Sequence, residues 1–338
     1  MAYFSISVHS KPVSTRRLFF CQSERKGMEL YDTFISRVTI TLWEFDMVIV
    51  GLSRNMDILK SVRTAVELAG GFGIKEGATA LIRPNANTAD PAPGSTNPEV
   101  LRGAIREVKR YKPGRIIVAE KSMTTLDTEK VLKKLGLWQV AEEEEVDEIL
   151  TFDHMKRWHV KPDGASSWPV GFFVPEFLAS IDYMIALPVI KTHWTATFTM
   201  GLKSQISITA DRDRRQLPHG QRMDVLFGNM IAESNLVYKP DFYISDATKC
   251  FVTEGPNIGT LREPGIVLAS PDVIANDTTG LALLKTLGTV PKIQGNSVWD
   301  QPQIKRAVEL GLGVKNREEF TVKGSGIEEI NEIIANLA

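Results

Sequence analysis

The sequence predicts an α/β protein, a mainly parallel sheet with flanking helices arranged in two lobes, and three observations lead there. Short apolar runs rich in β-formers alternate with amphipathic helical stretches from Met47 to Leu135, the pattern of strands joined through crossover helices. Several of these runs are apolar throughout, as strands covered on both faces are. Polar and charged residues gather where the runs end, and the carboxyl ends of parallel strands are the usual place for a ligand.

Residues 47–51 form the first strand, and Ser53 and Asp57 give start signals for a helix reaching Leu68 and closed by Gly70 and Gly71. Residues 80–83 form the second, running out through Arg83-Pro84-Asn85 into a polar loop that holds Pro91, Pro93 and Gly94. Thr96 is expected to cap the next helix, with Pro98 in its first turn and Glu99 favouring its dipole. Residues 115–119 are a strand and residues 126–135 a helix stopped by Gly136. Residues 149–152 and 158–160 are expected strands, and the proline and glycine punctuation before residues 172–175 reads as an inserted loop or hairpin. Residues 183–190 form a buried strand, residues 223–237 an amphipathic helix, and residues 241–246 a strand ending on Asp246. A glycine-proline turn at residues 253–257 precedes the strand at 265–269, after which Asp272 opens a helix carrying Asp277. Two helical patterns around a short strand at 320–322 close the chain.

A chain of 338 residues can bury a core without staples. Its net charge of −1 argues against a nucleic-acid footprint. No apolar run approaches the roughly eighteen residues of a spanning helix, so no membrane is expected either. The two cysteines, Cys21 and Cys250, supply neither a disulfide framework nor the ligand set of an iron–sulfur cluster; no cluster is expected in this chain, and the expected location is cytoplasmic. No Walker loop or dinucleotide fingerprint occurs, since Gly70-Gly71-Phe72-Gly73 follows a helix rather than joining strand to helix. Residues 1–46 read as an N-terminal extension of the folded domain, although Arg16 and Arg17 in an acid-poor stretch also fit a transit peptide. The expected partner is a small-molecule substrate or ligand; the oligomeric state is left open.

The candidate site lies where the strand at 183–190 stops on Lys191-Thr192-His193. Gly201-Leu202-Lys203 follows, then His219, so two of the five histidines sit beside two lysines around one strand exit. Taken singly, the lysines also fit solvated charges and His193 a core imidazole. Together they make Lys191 and His193 the catalytic candidates, because imidazole titrates near neutrality and a desolvated lysine becomes a nucleophile or an anchor. Asn85, Asp246 and Glu254 at neighbouring strand ends add donors, acceptors and charge of both signs, while Asp277 fits either solvent or the site. One or two histidines make an incomplete metal site, so a metal would need carboxylates, water or a cofactor as further ligands. His154 and His159 read as surface residues.

Arg83-Pro84-Asn85, Gly94-Ser95-Thr96-Asn97-Pro98-Glu99, Leu187-Pro188-Val189-Ile190-Lys191-Thr192-His193, Gly201-Leu202-Lys203, Leu217-Pro218-His219, Asp246-Ala247, Glu254-Gly255-Pro256 and Ser270-Pro271-Asp272 with Asp277 follow one another in an order that resembles the DUF362 family. The resemblance covers residues 47–290 and leaves 291–338 as a closing α/β segment. Its most specific element is Leu-Pro-x-x-Lys-Thr-His; the sequence departs from it at Arg83, where lysine is common, and at Ser204, where asparagine is common. Several family members carry a cysteine-rich ferredoxin module, which this chain lacks.

The same region more distantly resembles the nickel-pincer lactate racemase family. That resemblance implies a lactate-racemase-like fold, His193 as an acid/base, Lys203 as the anchor of a nickel-pincer-like nucleotide, and His219 as a metal ligand. Asn85 and Thr96 are further cofactor-binding candidates. The racemases' other catalytic histidine has no counterpart in residues 120–125. The expectation is an enzyme acting on a small polar or anionic substrate, an isomerase or oxidoreductase assisted by a pincer-like cofactor or a divalent metal. The alternatives are a non-catalytic binder of an anionic ligand and a partner of an iron–sulfur electron-transfer protein.

Overall fold

The alternating apolar runs build one eight-stranded sheet in the computed structural model, which describes residues 47–218 and 223–338. The expected extension at 1–46 lies outside the described residues. The chain begins with β1 (Val48–Arg54), α1 (Ile58–Leu68), β2 (Thr79–Pro84), α2 (Pro98–Lys109), β3 (Arg115–Glu120), α3 (Thr128–Lys134), α4 (Leu137–Glu143) and β4 (Glu148–Thr151). The expected hairpin follows as β5 (Arg157–Val160) paired antiparallel with β6 (Phe172–Pro175). Then come β7 (Tyr183–Leu187), the short antiparallel ribbon of β8 (Lys191–His193) and β9 (Thr197–Thr199), α5 (Gly201–Ser204), α6 (Asp211–Arg214) and α7 (Asp224–Ser234). The last third holds β10 (Phe242–Ala247), a second small hairpin of β11 (Cys250–Phe251) and β12 (Leu261–Arg262), β13 (Ile266–Ser270), α8 (Val273–Thr286), α9 (Pro291–Gln294), α10 (Pro302–Glu309), β14 (Phe320–Ser325) and α11 (Ile330–Ala335).

The strands lie in the order β14-β1-β13-β10-β7-β2-β3-β4. Every pairing is parallel except the two made by β13, which runs against both of its neighbours. Side chains alternate across the sheet with the period of two that a pleated strand imposes. Leu81, Ile117, Met184, Tyr243 and Leu268 enter a core shared with Ile231 of α7, Leu281 of α8 and Ile304 of α10. Their neighbours Ile82, Val118, Ile185, Ile244 and Val267 enter another, shared with Val62 of α1, Leu101 of α2 and Val140 of α4. These two cores lie on opposite faces of one sheet. Among the described residues no helix is long and apolar enough to cross a membrane.

Two local expectations need correction. The cap of α2 is Asn97, whose side chain accepts from the Glu99 amide at 3.0 Å, and not Thr96. The Thr96 hydroxyl instead donates to the Leu187 carbonyl and accepts from the Asn85 amide, both at 2.7 Å, stapling the loop after β2 to the end of β7. The strand expected over 183–190 ends at Leu187, because Pro188 has no N–H for the ladder. Past that proline the chain keeps one bridge, Val189 to Asp246, before Lys191 opens the separate ribbon.

Candidate functional site

The adjacent parallel strands β2 and β7 send their chains in opposite directions. From β2 the chain passes through α2 on one face toward β3, and from β7 it passes through α5 and α7 on the other toward β10. A crevice opens at the carboxyl ends of two strands so arranged, where binding sites of open α/β sheets sit. Here it is a cavity of about 70 Å³, lined by Arg83, Asn85, Lys191, His193, Lys203 and Arg214 among others. At roughly 10–15 Å³ per water, that space takes a few waters or one small polyatomic ion.

Lys191 is buried, and its Nζ donates to the Gly94 carbonyl at 2.5 Å across the crevice. That carbonyl belongs to the loop Thr96 staples down, so the position of the charge is set by both strand ends. Burial and then the nearby charge of Lys203 push the Lys191 ammonium down to about 7. Lys203 rides on α5, the short turn that begins at Gly201. A Cβ on Gly201 would lie 2.8 Å from the Asp277 carboxylate and 2.9 Å from Tyr243, which explains the glycine. Asp277 accepts from the amides of Gly201 at 2.8 Å and Leu202 at 2.9 Å, and so fixes the turn. Burial lifts the Asp277 carboxyl to about 7 against those donors. Lys203 is brought down to about 8 by burial and then by Arg214.

The cations of the crevice divide into two sets. Arg83 and Lys121 are neutralised: Arg83 pairs with Glu120 at 3.1 Å and also bonds Gln205, Ser207 and the Ser204 carbonyl, while Lys121 pairs with Asp153 at 2.9 Å and Asp211 at 3.1 Å. Lys191, Lys203 and Arg214 have no carboxylate in ion-pair reach among the described residues. The Arg214 guanidinium is held by the Ser122 carbonyl at 2.7 Å and Asn87 Oδ1 at 3.0 Å, both neutral. Burial lowers its pKa as well. The cavity therefore presents three basic side chains without an ion pair among the described residues, two of them, Lys191 and Arg214, held by neutral oxygens.

His193 ends β8, and Phe227 packs edge-on against its ring at 6.4 Å between centroids. Its Nδ1 accepts from the amides of Thr195 at 3.2 Å and Ala196 at 3.1 Å. Two N–H donors at one nitrogen require a lone pair there, which assigns the proton of the neutral ring to Nε2. The ring is thereby built as a hydrogen-bond donor.

Lys191, His193, Lys203 and Asn85 are thus brought together. Thr96, Asp246 and Asp277 stand behind the cavity as fasteners. Asp246 is buried and accepts from the Asn97 amide at 2.8 Å and the Thr248 hydroxyl at 2.7 Å, tying the start of α2 to β10, and burial raises its pKa. Glu254 is exposed on the β11–β12 loop, whose Pro256 and Asn257 reach the cavity. His219 lies outside the described residues. Among those that are described, no three His, Cys, Asp or Glu side chains are grouped to hold a metal. Sequence alone does not single out Lys121 or Arg214. A lysine directly after β3 repeats the pattern of charge at a strand end and could have been found; Arg214 sits in the run Asp211-Arg212-Asp213-Arg214-Arg215, where nothing marks it.

The profile of a family described as a domain of unknown function, DUF362, matches residues 80–282, well over half of the chain. The chain belongs to the DUF362 family. The matched span includes every cavity residue named above. A thylakoid-associated protein of Synechocystis is 27% identical over 226 residues, which are 65% of this chain and 68% of that one. Among solved structures, a lactate racemase apoprotein from Thermoanaerobacterium thermosaccharolyticum is similar over 85% of both chains, at 10% identity and a TM-score of 0.42. A protein from Thermotoga maritima is similar over 57% of this chain and 50% of its own, at 12% identity and a TM-score of 0.35.

Proposed function

We propose that this DUF362 protein is an enzyme acting on a small anionic substrate, a carboxylate or phosphate, bound in the crevice between β2 and β7. The observation that carries the reading is the set of three basic side chains, Lys191, Lys203 and Arg214, that line one small cavity and, among the described residues, have no carboxylate in ion-pair reach. Burying uncompensated charge is costly, and a bound anion removes that cost. Arg214 offers a guanidinium to a carboxylate or phosphate, and Lys191 a point charge held in place by Gly94. Low dielectric strengthens each of these contacts relative to water.

Two lysines that titrate near neutrality give the reading a proton signature. An anion favours their charged forms and raises their pKa values, so binding between about pH 7 and 8 takes up protons. Calorimetric titration of the full chain with oxalate and with inorganic phosphate, each in two buffers of different ionisation enthalpy, reads both affinity and proton uptake. Lys203→Gln and Arg214→Gln are each expected to weaken the better ligand about tenfold to a hundredfold, the worth of one charge-assisted hydrogen bond. Binding of neither ion, or binding that both variants leave intact, would refute an anion site in this crevice.

A further inference from the structure

We propose that Lys203 forms a Schiff base with the ketone of a small 2-oxo carboxylate held in the crevice. This rests on the anion-binding reading and names the substrate class of that site. The amine of Lys203 lines the cavity, and among the described residues it has neither a hydrogen-bond partner nor an ion pair. No interaction among the described residues requires it to stay protonated. Its backbone is nonetheless fixed. Asp277 clamps the two amides before it, the Ser204 hydroxyl closes the turn onto the Gly201 carbonyl at 2.6 Å, and Arg83 holds the Ser204 carbonyl at 3.0 Å. Lys191 and Arg214 differ from it in being tethered to neutral oxygens. A carboxylate seated on those two would occupy the same cavity of about 70 Å³ that Lys203 lines.

With a pKa brought to about 8, Lys203 is neutral in roughly a tenth of molecules at neutral pH, about two orders of magnitude more than an exposed lysine. The neutral nitrogen attacks the carbonyl carbon, a C–N bond forms, and the π pair moves to oxygen. One proton passes from nitrogen to that oxygen, giving the carbinolamine. The C–O bond then breaks, the oxygen departs as water with the second nitrogen proton, and C=N remains. No oxidant, reductant or further reactant enters the balance. The imine is an electron sink for a bond broken at the neighbouring carbon.

The full chain is incubated with pyruvate and sodium cyanoborohydride, digested and mapped by mass spectrometry. The expected result is one reduced adduct, at Lys203, exceeding that at any other lysine by about tenfold or more: exposed lysines have a far smaller neutral fraction, and Lys191, the other lysine whose pKa is lowered, keeps its nitrogen on the Gly94 carbonyl. Its rate climbs as pH rises toward about 8, and oxalate, which has the carboxylates without a ketone, slows it. An adduct spread evenly over the lysines, or one equally abundant on the remaining lysines of Lys203→Arg, overturns the proposal. Oxalate bound by calorimetry in the same sample with no adduct at Lys203 also overturns it, while leaving the anion site standing. Absence of both oxalate binding and adduct overturns both readings.

Discussion

A protonated lysine that lines a cavity half-buried and without an ion pair lowers the stability of the fold, and pH can remove the effect. Lys203 titrates at about 8 in the folded chain against an ordinary 10.5. Below about pH 8 folded and unfolded chains both carry the proton, and the whole destabilisation is present. Between about pH 8 and 10.5 the unfolded chain binds more protons than the folded one, so this group makes stability rise with pH. Above that range the cost is gone. Lys203→Met is therefore expected to melt at a higher temperature than the wild type near neutral pH, with the gap closing as pH approaches 10.5. A gap that stays constant across the range would assign the difference to packing and not to charge.

At the scale of elements, the position of Lys203 depends on α8 as much as on α5. Asp277 lies within α8, yet its carboxylate accepts from the first two amides of the other helix and from Asn276 at 2.7 Å. Asp277→Asn keeps the shape but turns an NH2 toward one of those amides, leaving a buried donor unpaired at about 1–3 kcal/mol. Differential scanning calorimetry should show that loss, and oxalate affinity should fall with it because the turn bearing Lys203 is released; unchanged affinity would mean the turn holds its place without the clamp. Some of this was legible in sequence. Lys191, His193 and Lys203 stood out because charge follows an apolar run at once, and Asn85 because it follows β2. Asp277 drew notice without a role, since a carboxylate inside a helix gives no sign of the backbone it serves. In sequence Thr96 looks like a cap because cap and staple use the same residue type, and only the partner across the crevice separates them.

For the whole molecule, the strength of the design lies in ties between strand ends. Arg83 on β2 and Glu120 on β3 form a buried pair, and the same guanidinium gathers the 3-10 turn at Gln205–Ile208. Glu120→Gln leaves the arginine charge without its counter-ion and is expected to cost about 3–5 kcal/mol in urea denaturation, as broken buried pairs do. A loss below about 1 kcal/mol would class the pair with exposed ion pairs of little weight. The parallel sheet with its flanking helices was readable because apolar periodicity survives in a single sequence. The reversal of β13 was not, since a buried strand carries the same apolar run whichever way it points.

That reversal decides how the crevice is roofed. Because β13 runs against β10, the chain between them need not cross to the far edge of the sheet. It turns back at once as the β11–β12 hairpin, lying against β8, where Thr192 donates to the Phe251 carbonyl at 3.1 Å and the Trp194 amide to Gly255 at 2.9 Å. Pro256 and Asn257 at its tip are wall residues that belong to neither core. A hairpin of this kind can lengthen, shorten or change composition without disturbing any strand pairing of the main sheet. Variation among relatives that share the lysines is therefore expected to collect at residues 252–260, where it would alter the size of molecule admitted while leaving the chemistry beneath untouched.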